Sequence, residues 1–166
     1  MTTATDAVAP VRKTIDVNAG LERAFSVFTA GFDSWWPRSH RIGKEPMERA
    51  IIETRSGGRL YSRQIDGSEC DWGRVLVWEP PRRLVMAWQI THEWGYEPDL
   101  AKASEVEIVF TPLGPNAIRV DLEHRHFERH GAGAMSMRAA VDATNGWGGL
   151  LQLFADRVKQ PAAGGA

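Results

Sequence analysis

The sequence predicts an α+β fold in which an antiparallel sheet of six to seven strands packs against a long C-terminal helix. Short segments of strand-like composition follow one another through the middle of the chain, and turn residues separate them. Strands joined by such short turns pair antiparallel and commonly leave one face in water. Residues 145–158 carry apolar side chains at helical spacing, so this segment can cover the other face.

The composition is typical of one soluble globular domain. The 166 residues are 43% hydrophobic and 25% charged, which suits a core of ordinary size. A net charge of -1 without a basic stripe argues against nucleic acid as a partner. No apolar run reaches the roughly 20 residues that span a bilayer, so no membrane insertion is expected. We predict flexible tails at residues 1–10 and 161–166 around one domain at residues 11–160.

A strand and two short helical segments follow the first tail. Residues 11–17 alternate weakly between apolar and polar, which predicts the first strand. Asn18 is a residue type that caps helices, and apolar side chains recur at helical spacing after it. A second helical turn is predicted over residues 32–36, and Pro37 ends it. The apolar positions of the first helix are Leu21, Ala24, Phe25 and Phe28.

Six further strands are predicted between residues 48 and 126. Asp66-Gly67 is typical of a hairpin turn, and Pro80-Pro81 interrupts the ladder because proline has no N–H to donate. The last strand alternates most regularly, with charged side chains on its outward face. The strands cover residues 48–54, 59–64, 72–79, 84–91, 105–111 and 117–126, and the inward positions of the last are Ile118, Val120, Leu122, His124 and His126.

Two assignments are possible for the inward face of the strand at residues 72–79. Strict alternation places Trp72, Leu76 and Trp78 together on one face. A bulge near Gly73 would reverse this, because one inserted residue moves every later side chain to the opposite face. The next strand is clearer, since its apolar face consists of Leu84, Met86, Trp88 and Ile90.

The C-terminal part of the chain supplies the predicted cover. Residues 127–144 show no regular pattern, although residues 135–143 are compatible with a short helix. Residues 145–158 form an amphipathic helix with polar side chains opposite an apolar stripe. The stripe consists of Trp147, Leu150, Leu151, Phe154, Ala155 and Val158.

Several segments resemble the SRPBCC superfamily, and within it the activator-of-Hsp90-ATPase-like branch. They are Trp35-Trp36-Pro37, Gly57-Gly58 before an aromatic strand, DGSECDWGRVLVWEPPRRLVMAW from Asp66 to Trp88, Leu122–His124 and Gly146–Leu151. The resemblance covers Val11 to Val158 and implies a helix-grip (START-like) fold, in which a curved sheet wraps around the C-terminal helix and encloses a cavity. The superfamily includes lipid carriers, hormone receptors, polyketide cyclases and co-chaperone domains, so the fold does not determine the activity.

The tryptophans provide the best candidate site. The chain has seven tryptophans and two tyrosines, which is a high tryptophan content for its length. Bulky aromatic side chains that face each other leave apolar pockets. We predict that such a pocket binds a small hydrophobic or aromatic molecule without catalysis, with His124 orienting it. The predicted ligand-binding residues are Trp36, Trp72, Trp88, Phe110, His124, Trp147 and Leu151.

Two other functions stay open at this stage. The family resemblance implies a protein-interaction module that binds a chaperone or another protein through an exposed face, for which the loop with Trp94 and Tyr96 is a candidate. The superfamily also implies a cyclase- or hydrolase-type enzyme that uses the same cavity, with His124 as general base. The sequence indicates neither the identity of the ligand nor the oligomeric state.

No metal, cofactor or nucleophile is predicted. His124 and His126 share a strand face, and with His130 or Glu128 a metal site can be drawn. One H-x-H pair without a regularly spaced third ligand is a weak signal, so we favour no metal. Cys70 lies between two carboxylates, which raise a thiol pKa and disfavour a thiolate. A single cysteine agrees with a reducing compartment, and we predict a cytoplasmic protein.

Overall fold

Seven strands form one antiparallel sheet in the computed structural model, which describes residues 8–42 and 44–160. Across the sheet their order is β1-β7-β6-β5-β4-β3-β2, so short turns join most neighbours. Residues 1–7 and 161–166 of the predicted tails lie outside the described residues. The strands are β1 (Val11–Val17), β2 (Met47–Ile52), β3 (Arg59–Gln64), β4 (Glu69–Glu79), β5 (Arg83–Trp88), β6 (Ser104–Gly114) and β7 (Ala117–Arg125).

The sheet curls into a half-barrel around the C-terminal helix, which confirms the predicted α+β helix-grip fold. The helices of the described residues are α1 (Leu21–Phe28), α2 (Ala134–Asp142) and α3 (Trp147–Lys159), and α3 packs against α1 and β1. The predicted cap at Asn18 is wrong, because α1 begins after Gly20 without a side-chain cap. Three 3₁₀ segments, Phe32–Ser34, Leu100–Lys102 and Phe127–Gly133, occur in the connections. None of the described helices has the length and hydrophobicity needed to cross a membrane.

The core lies on the concave face of the sheet. The inward positions of β7 are buried as predicted, and those of β6 (Val106, Ile108 and Phe110) are buried beside them. The prediction for His126 is wrong, because β7 ends at Arg125 and His126 has a φ of 66°, in the left-handed region. Its side chain therefore leaves the inward series and is 40% exposed.

Two bulges decide which side chains of β4 face the core. The first lies where β4 passes Leu60 and Tyr61 of β3, and the second leaves Leu76 unpaired with β5. Each bulge inserts one residue and reverses the alternation that follows. Trp72 and Val75 consequently lie in the core, and Trp78 packs against it. Leu76 is exposed.

Gly73 permits the close pairing of β4 with β5. A Cβ atom at this position would lie 1.9 Å from the carbonyl oxygen of Ala87, a distance that no side chain tolerates. Glycine is therefore required beside Trp72, at the first bulge, where the two backbones approach closely.

Ion pairs cover the middle of the outer face. Arg125 contacts three glutamates of β6 and β7, and its shortest contact is 2.6 Å to Glu107. Val85 and Ala87 of β5 also lie on this face, opposite Glu107 and Glu105, and both are buried. The long charged side chains shield these apolar residues, so the centre of the sheet is buried on both faces.

Candidate functional site

A cavity of about 450 Å³ opens between the sheet and the segment formed by α2 and α3. Its volume falls within the range of roughly 300–1,000 Å³ that is usual for small-molecule sites. The wall is buried and apolar, and the rim contains the exposed polar residues. The wall consists of Trp36, Trp72, Trp88, Ile90, Val141, Gly146, Trp147 and Leu150, and the rim of Ser39, His40, Arg41, Ile42, Trp94, Ala140 and Asn145.

Four tryptophans from distant parts of the chain meet in this wall. Trp36 follows the 3₁₀ segment after α1, Trp72 and Trp88 stand on neighbouring strands, and Trp147 begins α3. The ring of Trp36 lies 5.7 Å from that of Trp72 and 6.1 Å from that of Trp147. The rings of Trp88 and Trp147 are 5.6 Å apart in an edge-to-face arrangement. The cavity is thus bounded by indole rings in favourable mutual contact.

The other three predicted ligand-binding residues lie in the core and do not line the cavity. Phe110 packs against Phe25 at 5.1 Å and against Phe28 at 5.7 Å. Leu151 is buried on α3 next to Leu150, which does line the cavity. His124 is fully buried, with its ring 5.3 Å from Trp88 and beside that of Trp147. A ligand-binding role for these seven residues stays a prediction.

The sequence reasoning missed part of the cavity. Helical periodicity places Leu150 in an apolar stripe but does not indicate which member of the stripe borders a gap. Val141 lies in residues 127–144, which show no regular pattern in the sequence. The rim segment from Ser39 to Ile42 has no regular structure. No periodic signal was therefore available to place it.

His124 belongs to a hydrogen-bonded chain behind the cavity wall. The indole N–H of Trp147 donates to Nδ1 of His124 at 3.0 Å, and Nε2 of His124 lies 2.7 Å from the hydroxyl of Ser104. The same hydroxyl lies 2.7 Å from Nε2 of His130. Because an indole N–H only donates, Nδ1 of neutral His124 accepts and its Nε2–H donates to Ser104. Ser104 then donates to His130.

Both histidines of this chain favour the neutral state. Burial lowers the pKa of His124 well below its ordinary value, and the nearby His130 lowers it further. Burial also lowers the pKa of His130, with a smaller effect from His92. Since both ring nitrogens of His124 are engaged, its main structural effect is to fix the orientation of Trp147 in the cavity wall.

The three histidines considered for a metal site do not form one ligand set. His124 points into the core, His126 lies 3.5 Å from Glu128 outside the strand, and His130 contacts Ser104. Among residues 8–42 and 44–160 no three His, Cys, Asp or Glu side chains are grouped to hold a metal ion. Burial raises the pKa of the Cys70 thiol, and the adjacent Asp71 raises it further.

Comparisons with known proteins agree with this architecture. A family model described as activator of Hsp90 ATPase homolog 1-like protein matches residues 18–159. The structure of the anthrahydroquino-gamma-pyrone synthase Txn09 is 41% identical, with a TM-score of 0.64 over 90% of this chain and 97% of that chain. The self-sacrificing resistance protein CalC from Micromonospora echinospora is 29% identical, with a TM-score of 0.64 over 90% of this chain and 93% of that chain.

A more distant structure shares only the fold. Protein NE0264 from Nitrosomonas europaea is 14% identical, with a TM-score of 0.63 over 91% of this chain and 94% of that chain. A search of curated protein sequences found no match.

Proposed function

The chain belongs to the family of activator of Hsp90 ATPase homolog 1-like proteins, and we propose that it binds a small, mainly apolar aromatic molecule in the cavity between sheet and helices. Because this fold supports many activities, the proposal rests on the site. The observation that carries it is one cavity of about 450 Å³ whose buried wall holds four tryptophans.

Burial of apolar surface would supply the affinity. A planar ligand that buries about 300 Å² of apolar area gains about 7.5 kcal/mol from transfer out of water, before the cost of immobilisation. Indole rings favour aromatic partners, because offset or edge-to-face contacts add to the area term. The wall offers few polar groups, so a strongly charged molecule would be poorly solvated in its depth.

The named relatives support an aromatic ligand. Txn09 is called the synthase of an anthrahydroquino-gamma-pyrone, which is a fused aromatic molecule, and it is 41% identical over nearly its whole length. CalC is called a resistance protein and is more distant, at 29% identity. A cavity bounded by indole rings is compatible with molecules of the first kind.

Calorimetric titration with matched probes tests the proposal. Anthracene-2-sulfonate, 9,10-anthraquinone-2-sulfonate and decane-1-sulfonate carry the same charge, which can remain at the rim near Arg41. We expect at least one aromatic probe to bind more than tenfold tighter than the aliphatic one. Failure of both aromatic probes to bind, in a protein shown to be folded by circular dichroism, would contradict the proposal.

A pair of variants on α2 locates the binding. Val141→Trp fills the cavity and should reduce aromatic binding more than tenfold, because Val141 lines the wall. Met135→Trp introduces the same side chain on the same helix at an exposed position, and it should bind like the unmodified protein. Equal affinities in the two variants would place the bound probe elsewhere.

A second candidate function is chemical conversion of the bound molecule, which the identity with a synthase favours. The geometry does not favour His124 as its general base. Both ring nitrogens of His124 are hydrogen-bonded, its lowered pKa makes it a weak base, and it does not line the cavity. Incubation with an anthrahydroquinone that carries a diketone side chain, followed by mass spectrometry for a ring-closed product, tests this candidate. If the substrate is unchanged, this candidate is wrong and binding without conversion remains the proposed function.

The family description also motivates a chaperone partner. Trp94 and Tyr96 are the exposed aromatic residues of the candidate loop, and Trp94 at the same time forms part of the cavity rim. Titration of the protein with Hsp90 from its host would test this alternative. If Trp94→Ala weakens probe binding and no Hsp90 complex forms, the exposed loop belongs to the cavity.

A further inference from the structure

The hydrogen-bonded chain behind the cavity wall extends to a residue that water can reach. Trp147 lines the cavity, and its N–H donates to Nδ1 of His124 at 3.0 Å. The hydroxyl of Ser104 lies 2.7 Å from Nε2 of His124 and 2.7 Å from Nε2 of His130. Ser104 and His124 have no exposed surface, whereas His130 is only partly buried. His130 is therefore the member of the chain that can exchange a proton with water.

The direction of every hydrogen bond in this chain follows from its cavity end. An indole N–H only donates, so Nδ1 of neutral His124 accepts and its Nε2 carries the proton that is donated to Ser104. The Ser104 hydroxyl then donates to Nε2 of His130, which must carry no proton there. The chain is consequently complete only while Nε2 of His130 is an acceptor.

A proton on Nε2 of His130 makes this arrangement impossible, because that nitrogen then donates to Ser104. Among the described residues the Ser104 hydroxyl bonds only the two imidazoles, so its hydrogen must turn to Nε2 of His124 or stay unpaired in the core. If it turns, His124 carries its own proton on Nδ1 and faces the N–H of Trp147. A buried donor without an acceptor is costly. Trp147 borders an open cavity and can move, whereas Ser104 is enclosed, so the loss falls on Trp147.

The groups nearest His130 do not stabilise a positive charge on it. The exposed His92, which follows β5 beside Glu93, acts with burial to lower the pKa of His130, and His124 lies beyond Ser104. Ion pairs engage the carboxylates of the neighbouring elements, joining Glu105 to Arg129, Glu128 to His126 and Asp142 to Arg138. Lys102, from the 3₁₀ segment that packs here, adds a further positive charge. His130 is thus neutral near pH 7 and takes up its proton on acidification.

We propose that Ser104 and His130 are positioning residues of the cavity wall, which hold Trp147 through His124 only while Nε2 of His130 carries no proton. This inference rests on the proposed function, because it makes the affinity for the aromatic molecule depend on His130. Uptake of one proton from water by His130 releases the indole N–H of Trp147 and loosens the surface that the ligand contacts. The ligand therefore binds the form with neutral His130 more tightly, and by linkage its affinity falls as the pH drops.

Calorimetric titration with anthracene-2-sulfonate at about pH 7.5 and about pH 5 tests the effect on binding. We expect the unmodified protein to bind the probe at least about threefold more weakly at the lower pH, because one buried hydrogen bond is lost. His130→Gln keeps an acceptor for Ser104 and has no titratable group, so it should remove this fall and keep the affinity at the higher pH. His92→Gln is the matched control, since His92 is exposed and lies outside the chain, and it should keep the fall. Equal falls in the unmodified protein and in His130→Gln would overturn the inference.

An NMR titration of the ligand-free protein needs neither a probe nor a substitution. The indole N–H resonance of Trp147 should move upfield as the pH falls, in step with the imidazole C–H resonances of His130, whereas that of Trp36, which donates to the carbonyl oxygen of His40, should stay in place. A Trp147 resonance that stays fixed while His130 titrates, or a His130 that does not titrate in the folded protein down to about pH 5, would overturn the inference and leave the proposed function intact. If the probe binds at neither pH while the Trp147 resonance follows His130, the positioning of Trp147 is supported and the proposed function is wrong.

Discussion

The protein is expected to lose stability as the pH falls from about 7.5 to about 5.5. The substitution His124→Gln should make this loss smaller. His124 is fully buried, and burial, followed by the neighbouring His130, lowers its pKa well below the ordinary value. The unfolded chain therefore binds a proton near pH 6 that the folded chain does not. This favours the unfolded state, so stability is retained above the unfolded pKa of about 6.5 and is lost progressively below it, down to the folded pKa.

The size of the loss follows from one protonation. At one pH unit below the unfolded pKa, protonation stabilises the unfolded chain by RT ln 11, about 1.4 kcal/mol, while folded His124 stays neutral. At one unit above it the same expression gives about 0.06 kcal/mol. The contribution of His124 to the difference between the two pH values is therefore RT ln 10, or about 1.4 kcal/mol.

Urea unfolding followed by circular dichroism at about pH 7.5 and about pH 5.5 measures this contribution. Glutamine has no titratable group, yet its amide can accept from Trp147 and donate to Ser104. The two proteins differ only at position 124, so the difference between their losses isolates this position. The variant should lose about 1.4 kcal/mol less than the unmodified protein between the two pH values. Equal losses would show that folded His124 accepts a proton without penalty and would refute the reasoning; His124→Asn serves if the glutamine variant does not fold.

Neighbouring glycines of α3 are expected to respond oppositely to alanine. Gly148→Ala should stabilise by about 0.5–1 kcal/mol, because nothing lies within 4 Å of its Cβ position, whereas Gly149→Ala should destabilise, because that Cβ lies 2.6 Å from the carbonyl oxygen of Thr144; urea melts that move in the same direction would contradict this. Arg125→Met should cost about 1–2 kcal/mol at low salt, because three carboxylates lose their shared cation. Arg12→Met removes one exposed ion pair and should cost about 0.5 kcal/mol or less, and equal losses in the two arginine variants at low salt would count against the network.

Local pattern was sufficient for most of the fold. The alternation along β7 correctly placed Ile118, Val120, Leu122 and His124 on the buried face, and the apolar stripe of α3 correctly predicted the covering helix. These patterns succeed because a strand or helix must turn its apolar side chains to one side, whatever its partner is. The inward position predicted for His126 was wrong because its left-handed backbone ends the strand. The types of the neighbouring residues do not indicate that change of conformation.

The face of Trp72 shows where local pattern stops. Both orientations were compatible with the alternation of β4, and the choice depends on two bulges opposite β3 and β5. A bulge is a property of a pair of strands, so it cannot be derived from one of them. The same holds for Leu150 and Leu151, since the gap beside a helix is defined by what it packs against.

The chain alone indicated the antiparallel sheet and the helix that covers it, because each depends on residues close in sequence, and its seven tryptophans predicted an aromatic pocket without saying where they meet. The tertiary structure decided which tryptophans meet in one cavity and which of their N–H groups are already paired. Trp147 finds its acceptor 23 residues away in His124, and Trp72 and Trp88 find none among the described residues. Such long-range pairing depends on how strands and helices are placed in space, which the pattern of a single element does not encode.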